Sequence, residues 1–150
     1  MLSETPQKVL VANRGEIAAR ICRAVFDAGW TSVALVAQGE AAAGHAAKAD
    51  ETWTLPGSGA AAYLDVDAVV AAARETGCTM VHPGYGFLSE DPAFAQACSD
   101  AGLAFVGPAP ETLAVFGDKS SARTVAAACA VPHPRGSEIL EDVERLTSFL

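Results

Sequence analysis

Short, continuous apolar runs alternate with amphipathic stretches through the first two thirds of this chain. Lys8-Val9-Leu10-Val11-Ala12 and Thr31-Ser32-Val33-Ala34-Leu35-Val36 lack a strict in-out alternation, which is the pattern of strands covered on both faces. Between them Ile17, Ile21 and Val25 recur at helical spacing, with Ala18 and Cys22 beside them, and Gly29 and Trp30 close the stretch. The pattern predicts strand, helix and strand joined by a right-handed crossover. Residues 37–49 are rich in alanine and glycine, contain His45, and are expected to form a loop with one short helix. Residues 51–55 have the β-branched and aromatic content of another strand, and Pro56-Gly57-Ser58-Gly59 breaks it.

Asp65 is placed to cap a helix through Thr76, with Val66, Val69, Val70 and Ala73 on one stripe and Gly77 as its stop. Met80-Val81-His82 then reads as a short buried strand that ends where Pro83 keeps the preceding residue out of the helical region. Pro83-Gly84 has turn composition, Gly86 offers a second stretch of bare backbone, and Asp91-Pro92 supplies an N-cap followed by a first helical proline. The next helix is expected to bury Phe94, Ala97, Cys98 and Ala101, with a last strand over 103–106. Strands and helices alternating over residues 8–107 predict an α/β fold, a doubly wound parallel sheet of Rossmann-like kind. In such sheets ligands bind beyond the carboxyl ends of the strands, where the Gly84–Gly86 loop falls. Tyr85 between two glycines suits a ligand loop; equally, Tyr85 and Phe87 could cover a core edge, with His82 a satisfied polar group at the strand end.

Composition narrows the functions. A net charge of −8 with ten Lys and Arg argues against nucleic acid as a partner. No apolar run approaches the roughly 20 residues of a membrane helix, and the first residues lack the form of a signal peptide, so a soluble, cytoplasmic protein is expected. Cys22, Cys78, Cys98 and Cys129 stand singly and are expected to be buried, reduced thiols rather than metal ligands. The turn after the first strand carries one glycine, and Gly84-Tyr85-Gly86-Phe87-Leu88-Ser89 lacks a third, so neither makes a dinucleotide motif.

Toward the C-terminus, residues 110–116 predict a short helix closed by Gly117, and Asp118-Lys119-Ser120-Ser121 opens another reaching about residue 130. Lys119 falls in a first helical turn, where the dipole favours negative charge. It is either a phosphate-binding cation beside free N–H groups or a charge neutralised by the capping Asp118. Arg20, Arg23 and Asp27 share one helix face, which reads as solvated on its own. A charged helical pattern occupies residues 140–150.

Taken together, Lys8 through Ala18, Ala49-Asp50-Glu51, Tyr63-Leu64-Asp65, His82 through Glu90, Phe105-Val106-Gly107-Pro108 and Gly117-Asp118-Lys119 resemble the N-terminal part of a biotin carboxylase, the ATP-grasp component of biotin-dependent carboxylases. The resemblance implies a ligase that uses ATP, Mg2+ and bicarbonate to carboxylate biotin by way of carboxyphosphate. It divides the chain into a pre-ATP-grasp domain over 1–116 and the opening helices of the ATP-grasp domain over 117–150. It implies that Lys119 contacts ATP, that Tyr85 and Gly86 line the biotin site, and that His82, Gly84 and Glu90 support that loop. Arg20, Arg23 and Asp27 fall at the family's homodimer contacts. A biotin carboxyl carrier domain and a carboxyltransferase are the implied partners.

The family's glycine-rich flap, magnesium-binding glutamates and catalytic arginine lie downstream, so these 150 residues alone are expected to hold no catalytic or metal-ligating residue and to be inactive. The serine- or aspartate-rich loop usual after the second strand is replaced by Ala37-Gln38-Gly39-Glu40, and the usual Gly-Val-Pro by Ala130-Val131-Pro132. A non-catalytic folding or dimerisation module, and an ATP-grasp ligase with a non-biotin acceptor, are the alternatives.

Overall fold

The computed structural model describes residues 6–134; the charged pattern at 140–150 lies outside them. Within those residues the chain runs β1 (Lys8–Val11), α1 (Gly15–Asp27), β2 (Thr31–Val36), β3 (Glu51–Thr54), α2 (Val66–Glu75), β4 (Met80–His82), α3 (Pro92–Asp100), β5 (Ala104–Phe105), α4 (Pro110–Gly117) and α5 (Lys119–Ala128). Single 3-10 turns occupy Ala46–Lys48 and Ala60–Leu64. The five strands form one parallel sheet in the order β3-β2-β1-β4-β5. This is the doubly wound α/β arrangement that the alternating pattern predicts.

Apolar residues on the two sides of each strand pack into separate layers. Val9 and Val11 meet Ala18, Ile21, Cys22 and Val25 of α1 on one face. Leu10, Val33, Leu35 and Val81 meet Val69, Ala72 and Ala73 of α2, Phe94 and Cys98 of α3, and Tyr63 on the other. Asp65 and Asp91 accept the expected N-cap bonds, from Ala68 N–H at 3.0 Å and Ala93 N–H at 2.8 Å. Edge strand β3 is locked to β2 by Asp50, whose Oδ2 accepts both Ser32 N–H at 2.8 Å and Ser32 O–H at 2.7 Å. Those two donors hold the Asp50 carboxyl below the usual carboxylate range. Glu51 adds an ion pair to Lys8 at 2.8 Å.

Some expectations are corrected. On α3, which packs against α4 as well as α2 and β5, Ala95 is fully buried with Phe94 and Cys98, whereas Ala97 and Ala101 are half-buried, Ala101 against the main core. The last strand keeps only Ala104–Phe105 of the expected 103–106, as it has the single neighbour β4. Cys22, Cys78 and Cys98 are buried, and burial pushes all three thiols up, Cys98 to about 11. Cys129 is exposed, at the end of a helix that buries none of its described residues. Among the described residues no helix is long and apolar enough to cross a membrane.

Candidate functional site

β1 and β4 lie side by side, in register from Val9↔Met80 to Val11↔His82, yet lead to opposite edges of the sheet, β1 toward β2 and β4 toward β5. That reversal opens a crevice at their carboxyl ends. Two segments fill its rim: the β1–α1 turn, Ala12-Asn13-Arg14, and the glycine loop after His82.

The loop is built from left-handed backbone. Gly84 and Gly86 take φ of 68° and 69°, and Phe87 takes 47°, which is rare for a non-glycine residue. Space and glycine have different meanings at the two positions. A Cβ on Gly84 would stand 2.7 Å from Ile17 Cγ2 and 2.8 Å from Asn13 Nδ2, whereas one on Gly86 would meet nothing within 4 Å. Gly84 is therefore required by packing, and Gly86 leaves open backbone. Gly84 N–H donates to His82 Nδ1 at 3.1 Å, which fixes the Nε2–H tautomer, while burial pushes the His82 pKa below the ordinary histidine value.

The two aromatics of the loop part company. Tyr85 is 65% exposed, so the reading in which both rings cover a core edge applies to Phe87 alone. The Phe87 ring lies 5.5 Å from that of Tyr63, and the Arg14 guanidinium stands 5.8 and 5.9 Å from the two ring centroids. Arg14 also pairs with Glu40 at 3.3 Å. The Tyr63 hydroxyl, 3.3 Å from both Glu40 Oε2 and Leu35 O, is pushed up to about 12 by burial and by the Glu40 charge.

Tyr85 is shared by two surface grooves. One, of about 330 Å³, is lined by Glu16, Ile17 and Arg20 of α1 and by His82 at the end of β4. The other, of about 430 Å³, includes Gly84, Glu90, Phe116 and Gly117 and reaches the end of α4. The structure thus brings His82, Gly84, Tyr85 and Glu90 together, and places Arg20 next to them. Lys119 is exposed, two residues beyond Gly117, and makes no ion pair among the described residues. Asp118 Oδ1 caps α5 by accepting Ser121 N–H at 2.7 Å, a bond that lowers its own pKa. Capping therefore does not consume the Lys119 charge. Arg20 and Arg23 line a third groove, of about 520 Å³, with Phe26, Lys48 and Asp50; Asp27 is exposed on the same helix.

Asn13, Glu40, His45 and Tyr63 hold this region and were not expected to. His45 is buried in the alanine-rich segment, donating from Nε2 to Leu35 O at 2.9 Å and accepting Gly15 N–H at Nδ1 at 3.4 Å. A polar residue ending an apolar strand run, as Asn13 does, is the one signal that could have drawn attention to it.

Residues 5–113 match the family described as biotin carboxylase, N-terminal domain. The chain is 49% identical over 144 residues to the biotin-dependent acyl-coenzyme A carboxylase alpha3 subunit of Mycobacterium leprae, covering 95% of this chain and 24% of that protein. It is 47% identical over 135 residues to mitochondrial pyruvate carboxylase of Mus musculus, covering 88% and 11%. Among solved structures, the biotin carboxylase domain of a single-chain bacterial carboxylase superposes with a TM-score of 0.89 at 52% identity, over 97% of this chain and 33% of that one. The chain therefore spans a quarter or less of these two curated relatives. With a parallel sheet in common with such domains and the matched region running from ahead of β1 into α4, the chain belongs to the biotin carboxylase N-terminal domain family, as the N-terminal part of a biotin carboxylase domain.

Proposed function

We propose that this chain supplies the biotin-facing loop and the first ATP contact of an enzyme that carboxylates biotin with ATP and bicarbonate. The observation that carries the reading is the exposed Tyr85 beside the open backbone of Gly86, at the switch point of the sheet. The near-planar ureido ring of biotin suits an aromatic face and backbone that no Cβ obstructs, and both are offered there. His82, Gly84 and Glu90 keep that loop in place or border it. Lys119, with no ion pair among the described residues, is the group for a nucleotide phosphate. ATP supplies the phosphoryl group that activates bicarbonate, and Mg2+ neutralises its phosphates. This chain's part is to hold and orient the two ligands, with residues 1–116 forming the sheet domain and residues from 117 opening the nucleotide-binding domain.

Arg20, Arg23 and Asp27 are the proposed homodimer contacts, and a biotin carboxyl carrier domain and a carboxyltransferase the proposed partners. The unpaired cysteines suit a reducing compartment, the cytoplasm in our proposal.

The test is made in a complete biotin carboxylase domain carrying this chain as its N-terminal part, followed by bicarbonate-dependent ADP release. Tyr85→Ala is expected to raise the KM for free biotin about tenfold and to leave that for ATP nearly unchanged, and Lys119→Ala the reverse. Absence of biotin-stimulated ADP release from the folded unsubstituted domain would overturn the reading, in favour of a non-biotin acceptor or a silent module. Reversing both charges, Arg20→Glu with Arg23→Glu, is expected to shift the sedimenting species toward monomer.

A further inference from the structure

The carbonyls of Pro83 and Tyr85, which flank Gly84, turn back toward the sheet and meet one side chain. Asn13 Nδ2 donates to Pro83 O at 2.7 Å and to Tyr85 O at 3.0 Å, while Asn13 Oδ1 accepts Arg14 N–H at 2.9 Å. Arg14 N–H can only donate and the two carbonyls can only accept, so these partners fix which way the amide points. Asn13 is 0% exposed, and a buried amide is costly unless it is paired. Its partners are its own turn and a loop 70 and 72 residues away.

We infer that Asn13 is the positioning residue of the glycine loop, setting where Tyr85 and Gly86 stand for the ring they bind. This inference rests on the assignment of that loop to biotin. The reasoning is geometric. Of the loop's polar ties back toward the sheet, His82 holds the N–H of Gly84 and Asn13 holds the carbonyl on either side of it. The carbonyl of Tyr85 belongs to the same peptide group as the N–H of Gly86, so fixing it orients the plane that Gly86 presents. Ile17 closes the remaining side, with Gly84 too close to it to admit any side chain. The β1–α1 turn therefore acts as a template against which the ligand loop is cast. It has no need to touch the ligand itself.

Asn13→Asp keeps the shape and places an oxygen opposite two carbonyl oxygens; Asn13→Ser removes both ties without adding charge. In the complete domain, each is expected to raise the KM for free biotin about tenfold, as for the loss of two hydrogen bonds, with the KM for ATP within about twofold. Protonating the new carboxyl restores one donor, so the deficit of Asn13→Asp relative to the unsubstituted enzyme at the same pH should shrink as pH falls. Hydrogen exchange in the complete Asn13→Ser enzyme should accelerate at the amides of residues 84–88 and stay unchanged in β1 and β4.

Tyr85→Ala is assayed alongside. If Tyr85→Ala raises the biotin KM and neither Asn13 variant does, the positioning role is overturned and the biotin site stands. If none of the three changes it, the biotin assignment falls, and the inference with it. Equal rises for biotin and ATP, or exchange spread through the sheet, would mean that Asn13 serves stability in general and would also overturn it.

Discussion

Gly84 and Lys119 stand on parts of the molecule that are held in different ways. Gly84 is enclosed by Asn13, Ile17 and His82, contributed by the turn before α1, α1 itself and the end of β4, on a sheet whose inner strands are mostly buried. Lys119 opens a helix that buries none of its described residues, next to Phe116 at 59% exposure and with Val125 at 36%. Its position is set by the Asp118 cap and by α4. The geometry of the glycine loop is thus determined inside the sheet domain before any ligand arrives. The lysine carries a charge whose reach depends on a weakly packed helix.

Substitutions can break or sharpen this contrast. The largest difference is expected between Phe94→Ala and Val125→Ala in urea unfolding of the 150-residue chain. Phe94, at 0% exposure, should cost about 3–5 kcal/mol, and Val125 less than about 0.5 kcal/mol. Equal losses would mean that α5 belongs to the same cooperative unit as the sheet.

Next come the two glycines. Gly84→Ala adds a steric conflict to an unfavourable φ and should cost about 2–4 kcal/mol, whereas Gly86→Ala, facing open space, should cost about 1 kcal/mol. If the two cost the same, packing around Gly84 is looser than its distances suggest. Lys119→Ala should change stability by only a few tenths of a kcal/mol, the scale of a dipole effect at an exposed helix start. A larger loss would show that Lys119 is part of the fold.

The smallest effect concerns pH. His82 is held below its ordinary value of 6.5 in the fold, so between that lower value and 6.5 the unfolded chain binds more protons than the native one. Stability should be fully present above about 6.5, decline as pH falls through this window, and level off below the folded pKa. His82→Gln should remove that slope, as followed by thermal unfolding at a series of pH values.

Much of this architecture can be read from local pattern. The Asp65 and Asp91 caps, the end of β4 at His82, and a positive φ at Gly84 all follow from residues within a few positions of one another. Tyr85, an aromatic between two glycines, is the odd residue for a simple reversal. The rest depends on partners remote in sequence. Tyr63 lies in an alanine-rich stretch with no strand or helix period, and is 1% exposed because its hydroxyl reaches Leu35 O and Glu40. His45, in low-complexity sequence, is likewise buried against remote backbone, at Leu35 O and Gly15 N–H. Phe87 takes a left-handed conformation that no glycine announces, held by Arg14 and Tyr63 from other parts of the chain.

The Asn13 tie also bears on the order of folding events. Its partner Pro83 is 70 residues away, so the bond forms only after a long chain segment has been closed, whereas β1 and β2 meet across a single helix. Loop-closure entropy disfavours the distant contact in an early nucleus, and the β1–α1–β2 unit is the more local starting point. Substitutions at Asn13 should then leave the refolding limb of a chevron plot almost unmoved. Kinetically, the glycine loop is then expected to be fastened after the β1–α1–β2 unit.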